Sequence, residues 1–260
     1  MKKEILSLIG CGWLGKELAL DLKSQNYELI ATTAHDKSEE FALSGVPYIQ
    51  LDAALDVVPE SILNSDVLIY MVPPLAVSHV KHFFDQIPIE KKIIFISSTS
   101  VYGKNLGVVD EKTEHHVCST SSPLLLETEN YLMNKFKNVT ILRFGGLCGG
   151  KRHPVLFLQG KKELTGGHAY VHLVHRDDCI RAIKSVMEHS AWGEVFNIVS
   201  DVSLSKTEYY TLMAKKWGLV PPEYLVYEKS MKETKISNEK SKMKLGMTYQ
   251  NPSEFYTSSV

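Results

Sequence analysis

Three glycines close to the N-terminus carry the clearest chemical signal in the sequence. They form the pattern Gly-x-Gly-x-x-Gly in a segment that runs Gly10, Cys11, Gly12, Trp13, Leu14 and Gly15. A short apolar run precedes the pattern, and a stretch with helical apolar spacing follows it. In such a turn Gly10 permits the tight bend, Gly12 lets a pyrophosphate approach the backbone, and Gly15 lets the helix pack close to the sheet. The N–H groups at the positive helix end then bind the diphosphate, although a plain strand-to-helix turn is the alternative.

The residues that would meet the adenosine half of a dinucleotide come at the end of the second apolar run. An acid there hydrogen-bonds the ribose 2′-hydroxyl of NAD, whereas its absence leaves room for the 2′-phosphate of NADP. Thr33 occupies the acid's place, and His35 or Lys37 could face a phosphate. The pattern therefore favours NADP, while Asp36 in the same turn keeps NAD open.

A second group of polar side chains follows the fifth apolar run, where Ser97, Ser98 and Thr99 precede Val101 and Tyr102. Joined to the glycine pattern, this segment makes the chain resemble the NAD-dependent epimerase/dehydratase family, the extended and atypical branch of the short-chain dehydrogenases/reductases. The resemblance spans nearly the whole length. Its further points, in chain order, are Asp52, 66–70, 142–144, 175–178 and 195–198.

The resemblance implies where a coenzyme and a substrate would bind. By this resemblance, Asp52 reaches the adenine amine, and the segment Val72-Pro73-Pro74 lies along the nicotinamide ribose. Ser97 is assigned to the coenzyme site with them. The lobe that follows Gly145 closes over a small-molecule substrate.

The chemistry of the family needs a Ser or Thr that hydrogen-bonds the reacting oxygen, a Tyr that exchanges a proton, and a Lys that lowers the pKa of the Tyr. Ser98 matches the hydroxyl position, although it could merely satisfy amides at the end of a strand. The Tyr position falls near Ser119 and the Lys position near Pro123, and neither residue can do the usual work. Ser119 is therefore assigned to the proton-transfer position, although it lacks the phenol of the tyrosine expected there.

A literal Tyr-x-x-x-Lys does occur at Tyr131 and Lys135, only eight residues before Arg143. That spacing puts the pair at the far end of a helix, away from the sheet edge where a nicotinamide belongs. We therefore expect Tyr131 to pack and Lys135 to be solvated. Tyr102 is another candidate proton donor, although its counterpart in the family is generally structural.

Around these residues, compact apolar runs alternate with stretches of helical spacing, as is typical of strand–helix–strand units in a parallel sheet. The strand candidates are 5–9, 28–32, 48–51, 67–72, 93–97 and 139–142. We predict a doubly wound α/β protein with a Rossmann domain at 1–145, whose sheet later segments could complete, and a smaller substrate-binding lobe at 146–260. In the lobe the spacing predicts a strand at 195–199 and helices at 177–189, 205–217 and 239–245.

Composition excludes several classes of partner. Lys+Arg 29 against Asp+Glu 30 gives a net charge of −1, and no basic run suggests a nucleic acid. No apolar segment reaches the roughly 20 residues of a membrane span, and the opening apolar run is too short for a signal peptide. The four cysteines lack a Cys-x-x-Cys pair, which suits a reducing cytosol. We expect a cytoplasmic monomer or homodimer. We also expect no metal site, because His168, His172 and His175 belong to a helix-capping stretch.

These features leave more than one function open. An enzyme would move hydride between a nicotinamide and a carbinol or carbonyl carbon, with Ser98 polarising the oxygen. Loss of a general acid/base removes about a hundredfold or more in rate, so Ser119 and Pro123 favour a catalytically weak sensor that changes shape with its coenzyme. A helper protein that binds no nucleotide is the third possibility.

Overall fold

A computed structural model describes residues 3–25, 27–103, 107–114, 122–201, 204–225 and 233–255. Its strands are β1 Ile5–Ile9, β2 Glu28–Thr33, β3 Tyr48–Gln50, β4 Val67–Tyr70, β5 Lys92–Ser98, β6 Val108–Val109, β7 Val139–Phe144, β8 Gly146–Cys148, β9 Leu173–His175, β10 Val195–Ile198 and β11 Lys235–Ile236. Its helices are α1 Trp13–Ser24, α2 Ser38–Ser44, α3 Glu60–Leu63, α4 Val77–Phe84, α5 Ser122–Lys135, α6 Val155–Leu158, α7 Arg176–Glu188, α8 Lys206–Lys216 and α9 Glu239–Leu245. Each strand predicted from the apolar runs is present.

The central sheet has seven parallel strands in the order β10-β7-β5-β4-β1-β2-β3. Leu6 of β1 pairs with Leu29 of β2 on one side and with Val67 of β4 on the other. The chain therefore moves outward in one direction through β2 and β3, and in the other direction from β4 onward. Open α/β sheets bind ligands outside the carboxyl ends of their strands at such a reversal. The turns that follow β1, β2 and β4 are thus the expected binding region, and the predicted doubly wound class is confirmed.

The sheet is buried because its strands are apolar on both faces. Every residue of β4 and β7 is buried. On α4, Phe83 and Phe84 pack against Tyr70 of β4 with ring centroids 5.4 and 5.0 Å apart. Burial of each such ring stabilises the fold by about 1.5–3 kcal/mol, so the helix spacing read from the sequence has a direct packing cause.

One strand of the central sheet comes from the C-terminal part of the chain. The run at 195–199 forms β10, the seventh strand, beside β7, so a segment after residue 145 completes the sheet. The backbone N–H of Ile141 donates to the carbonyl of Glu194 at 2.9 Å, and that of Gly145 donates to Ile198 at 3.0 Å. A strand that is apolar on both faces can pair with any open edge of a sheet, so the local sequence does not identify its partner strand.

The chain divides into two compact units, each assembled from separate stretches. The first is Met1–Ser97, Thr120–Leu142 and Val186–Val195; the second is Ser98–Ser119, Arg143–Ser185 and Phe196–Val260. The first unit holds the glycine turn. In the second, β6 pairs with β11 and β8 pairs with β9. Among the described residues, none of the helices has the length and apolar character needed to cross a bilayer.

The second unit has its own core around a buried histidine. His153 is 1% exposed, and its Nδ1 accepts from the N–H of Val155 at 3.1 Å. Its Nε2 therefore carries the proton and donates to the Tyr209 hydroxyl at 2.9 Å. That hydroxyl donates in turn to the carbonyl of Pro252 at 3.0 Å. Burial lowers the pKa of His153 to about 4, so the imidazole is neutral in the folded protein.

Candidate functional site

Two glycines of the N-terminal turn are closely packed by the protein itself. Gly10 has φ +87°, and a Cβ there would lie 3.0 Å from the backbone nitrogen of Val72. A Cβ on Gly15 would lie 2.9 Å from Met71 Cε and 3.3 Å from the carbonyl oxygen of Gly10. Gly10 thus makes a bend that L residues rarely adopt, and Gly15 lets α1 approach the strand that precedes it.

Gly12 is different, because no atom of the described chain lies where its side chain would be. Its φ is −80°, and a Cβ would meet no atom within 4 Å. Gly12 caps α1, a fully described helix that has no side-chain cap and no acid in its first turn. The open space therefore faces the positive helix end, and a bound diphosphate would explain why the side chain is missing.

Cys11, Trp13 and Leu14 take part in this turn mainly through their backbone and packing. The Cys11 N–H donates to the carbonyl of Thr32 at 2.7 Å, which ties the turn to the end of β2. Burial raises the pKa of the Cys11 thiol to about 12, so it stays protonated at neutral pH. Leu14 is 7% exposed and Trp13 is half-buried.

The turn after β2 is held by hydroxyl groups where an acid was considered. The hydroxyls of Thr33 and Tyr48 lie 3.0 Å apart, and each donates toward the carbonyl of His35. The His35 side chain itself is exposed. Asp36, the residue that kept NAD open, accepts the N–H of Ser38 at 2.8 Å, and this hydrogen bond lowers its pKa. The carboxylate of Asp36 thus accepts a hydrogen bond from the first residue of α2.

A cluster of charged side chains, of which the sequence pointed only to Lys37, lies next to this turn. Glu40 Oε1 is 2.5 Å from Lys16 Nζ, and its Oε2 is 3.6 Å from Lys37 Nζ. The hydrogen bond from Lys16 is the main reason that the pKa of Glu40 is lowered. The position of Lys16 directly after Gly15 is the feature of the sequence that could have drawn attention to this lysine.

The remaining coenzyme candidates lie in the turns after β3 and β4. Asp52 accepts the N–H of Ala54 at 2.8 Å, while its own N–H donates to Asp56 at 2.7 Å. Asp52 is half-buried. In the segment Val72-Pro73-Pro74, Val72 is the residue that approaches Gly10, and both prolines are exposed. The turns after β1 and β4 are therefore in direct contact.

The serines at the end of β5 have separate partners. Ser97 is 5% exposed and donates to Glu129 Oε1 on α5 at 2.6 Å. Ser98 Oγ accepts the N–H of Ser100 at 3.1 Å and caps the short 3₁₀ turn that follows. The capping role that sequence reasoning weighed for Ser98 is thus present. A hydroxyl that accepts still has one proton to donate, so capping leaves Ser98 able to act on a substrate oxygen.

The helix face that meets Ser97 carries neither a phenol nor an ammonium. On α5, Glu129 and the residues one and two turns earlier, Leu125 and Ser122, are buried. Pro123, the expected Lys position, is exposed instead. Residues four apart share a helix face, so Leu125 lies on the same face as Glu129, one turn earlier. Ser119 lies outside the described residues.

The literal Tyr-x-x-x-Lys pair is part of a link between α4 and α5. The Tyr131 hydroxyl donates to Asp85 Oδ1 at 2.6 Å, and Lys135 Nζ contacts the same oxygen. Lys135 Nζ also donates to the Tyr131 hydroxyl at 3.1 Å. The pair therefore bridges two helices at the end of α5.

Tyr102 is buried in a polar network of the second unit. It is 1% exposed, its hydroxyl accepts from Arg143 at 2.8 Å, and it donates to Asn197 at 2.9 Å. The N–H of Asn197 donates to Glu111 at 2.7 Å. Burial is the main reason that the pKa of Tyr102 is raised. The network ties distant segments together, as expected for a structural tyrosine.

The histidines show no metal-binding arrangement in the described ranges. No group of three His, Cys, Asp or Glu side chains there is arranged to hold an ion. His168 Nε2 lies 3.1 Å from Glu233, and His175 Nδ1 accepts the N–H of Asp177 at 3.3 Å. His115 and His116 fall outside the described residues.

Comparison with known proteins shows similarity over nearly the whole chain to a protein of Escherichia coli. The chain is 32% identical to Protein YeeZ of Escherichia coli K12 over 269 aligned positions, which cover 97% of each protein. No protein-family model matches the chain.

Solved structures agree with the fold. UDP-glucuronic acid 4-epimerase from Bacillus cereus, solved in complex with NAD, has a TM-score of 0.78 and 20% identity, with 97% of this chain and 93% of that one covered. UDP-glucose 4-epimerase from Thermotoga maritima, solved with UDP-glucose, has a TM-score of 0.73 and 18% identity, with coverage of 95% and 94%. The chain belongs to the same family as Protein YeeZ, and it shares the fold of these epimerases.

Proposed function

We propose that the chain binds a nicotinamide adenine dinucleotide, with the diphosphate against the turn from Gly10 to Gly15. The observation that carries the proposal is the open space at Gly12, where the chain's own packing does not require a glycine. The first N–H groups of α1 supply donors and the positive end of a helix dipole. The NAD in the Bacillus cereus epimerase structure supports the same class of ligand.

The proposed reaction is that of a reductase or nucleotide-sugar epimerase. When bound, the nicotinamide supplies hydride transfer to or from a carbinol or carbonyl carbon. Ser98, the last residue of β5, would donate a hydrogen bond to the reacting oxygen. The N–H of Ser100 orients the Ser98 hydroxyl by donating to it. The epimerases of similar fold act on sugar nucleotides, and we propose that class of substrate here.

A second candidate is a sensor that binds the coenzyme and turns over slowly. The buried face of Ser122, Leu125 and Glu129 favours it, because none of these side chains can replace a phenol activated by an ammonium. Without that pair, a proton on the reacting oxygen must come from another donor. We expect binding to be retained and the rate to be about a hundredfold or more below that of a complete site.

The binding proposal is tested by calorimetry of the full chain with NADH and NADPH, comparing the natural chain with Gly12→Asp. Aspartate is a favoured helix cap, so the thermal midpoint should not fall. Its carboxylate would meet the diphosphate, and unit charges 4 Å apart near a protein surface repel by about 4 kcal/mol. Both dissociation constants should rise well over tenfold. Unchanged affinity in a folded variant would refute the proposed site.

The catalytic proposal is tested by single-turnover kinetics. Loss of NADH or NADPH fluorescence is followed with a panel of carbonyl compounds, and reduction of NAD or NADP with UDP-glucose and UDP-glucuronic acid. Turnover that disappears in Ser98→Ala but survives in Ser100→Ala supports the enzyme, because the control keeps the backbone N–H that orients Ser98. Tight coenzyme binding without turnover supports the sensor instead.

A further inference from the structure

Glu40 is held by two lysines, one at each carboxylate oxygen. Lys16 Nζ contacts Oε1 at 2.5 Å and Lys37 Nζ lies 3.6 Å from Oε2. The three side chains are between 36% and 42% exposed, so the cluster is open to a ligand. A carboxylate with a cation at each oxygen has the geometry with which a pair of cations holds two oxygens of a phosphate.

The cluster lies at the adenosine end of the proposed coenzyme site. Lys16 follows Gly15 in α1, and Lys37 is the residue that precedes α2 after the end of β2. The positive charge of Lys37 also interacts electrostatically with Cys11 within the glycine turn. In this fold the residues after β2 meet the 2′ position of the adenosine ribose. Lys16 of α1 and Lys37 before α2 thus bring two ammonium groups to the turn that would meet this position.

The acid that would select a 2′-hydroxyl is missing from the same turn. Thr33 stands in its place, and its hydroxyl is engaged with the carbonyl of His35. Asp36 is engaged with the N–H of Ser38. The carboxylate nearest to the two lysines is then Glu40, which comes from α2 and interacts with both of them.

We infer that Lys16 and Lys37 form the binding site for the 2′-phosphate of NADP(H), and that Glu40 occupies this site until the phosphate displaces it. The inference rests on the proposed coenzyme site. A phosphate monoester carries nearly two negative charges and three acceptor oxygens, so it outcompetes one carboxylate for the lysines. NAD(H) presents only a hydroxyl there and leaves the ion pairs intact. Glu40 is therefore a specificity-determining residue that weakens NADP(H) binding and spares NAD(H).

The test measures dissociation constants of NADPH and NADH for the full chain and its variants by fluorescence titration. In Glu40→Gln the NADPH constant should fall about fivefold at low salt, while the NADH constant changes less than twofold. In Lys16→Ala and Lys37→Ala the NADPH constant should rise about tenfold, with NADH again little changed. Glu39→Gln is the matched control, because it removes the same charge from the neighbouring exposed position of α2.

Fragments separate this inference from the proposed function. Adenosine 2′,5′-bisphosphate should bind more tightly than 5′-AMP, and Glu40→Gln should widen the difference. If both coenzymes bind the natural chain but Glu40→Gln and Glu39→Gln shift them equally, Glu40 has no specific role and only this inference is overturned. If neither coenzyme binds the natural chain, the proposed function and this inference fall together.

Discussion

The glycine turn and the buried face of α5 are both parts of the first unit, and they differ in what they retain. The turn has all three glycines of a diphosphate site, and Gly12 keeps an open space that the protein itself does not use. The α5 face that contacts the end of β5 through Glu129 includes the buried side chains of Ser122 and Leu125. The residues of the proposed coenzyme site are therefore retained where the usual residues for proton transfer are not found.

The largest effect should come from replacing the packed Gly10 by alanine, in comparison with the same replacement at the open Gly12. Gly10→Ala forces a positive φ on alanine and places its Cβ against the Val72 backbone, so we expect a loss of about 4 kcal/mol in unfolding free energy. Gly12→Ala should leave that free energy within about 0.5 kcal/mol and weaken coenzyme binding instead. Urea unfolding and calorimetry on both variants measure the two effects. Equal destabilisation by both would remove the distinction between packing and ligand-binding glycines.

A pH effect should distinguish the two units. His153 of the second unit has its pKa lowered from 6.5 to about 4 by burial, so the unfolded chain binds a proton at a higher pH than the folded chain. Stability is then full above pH 6.5 and falls as the pH drops toward 4, by about 3 kcal/mol from this residue. The described histidines of the first unit, at 35, 79, 82 and 189, are exposed.

Urea unfolding at pH 7 and pH 5 measures this dependence. His172 also has its pKa lowered to about 4 by burial, so the natural chain should lose more than His153 alone explains. His153→Gln, whose amide can still donate to Tyr209, should flatten the dependence in part. An identical pH profile in that variant would show that His153 does not carry the effect.

A smaller effect is expected from the buried acid on α5. Glu129→Leu leaves the Ser97 hydroxyl without this acceptor, and an unsatisfied buried group costs about 1–3 kcal/mol. Glu129→Gln keeps an acceptor oxygen and should cost less. Coenzyme affinity should change little in either variant if this face has no part in binding. A large loss of affinity in Glu129→Gln at unchanged stability would instead make the α5 face part of the coenzyme site.

The smallest effect is expected from the literal Tyr-x-x-x-Lys pair. Lys135→Ala removes a partly exposed ion pair with Asp85, which is worth less than about 1 kcal/mol. Any coenzyme oxidation by the natural chain should continue at the same rate in Lys135→Ala and Tyr131→Phe. Abolished turnover in both variants would restore this pair as the catalytic dyad.

Local spacing identified most of the elements and the glycine turn. The apolar runs of β1, β2 and β4 predict strands that are apolar on both faces. Ser205 caps α8 through a hydrogen bond with Glu208, as expected for the Ser-capped helix. Gly246 has φ +61° and ends α9 at the predicted position. These features depend on contacts within a few residues, which a sequence displays directly.

Long-range pairings were the part that sequence reasoning did not reach. Glu40 meets Lys16 across 24 residues, and Ser97 meets Glu129 across 32. No spacing rule links such positions, because their distance is set by how α1, α2 and α5 pack on the sheet. The pairing of the run at 195–199 with β7 is of the same kind, because the local sequence does not identify its partner strand.

The sequence alone determined a doubly wound parallel sheet, a glycine turn able to hold a diphosphate, and a departure from the usual Tyr-Lys pair. Each of these follows from residue types at short spacing, because backbone freedom, helix capping and apolar period are local properties. Only the tertiary structure decided that Gly12 is open while Gly10 and Gly15 are packed, that Glu129 meets Ser97 at the end of β5, and that Glu40 sits between two lysines. Those facts arise from surfaces that meet after folding, and the energy of such contacts depends on distances that no local pattern encodes.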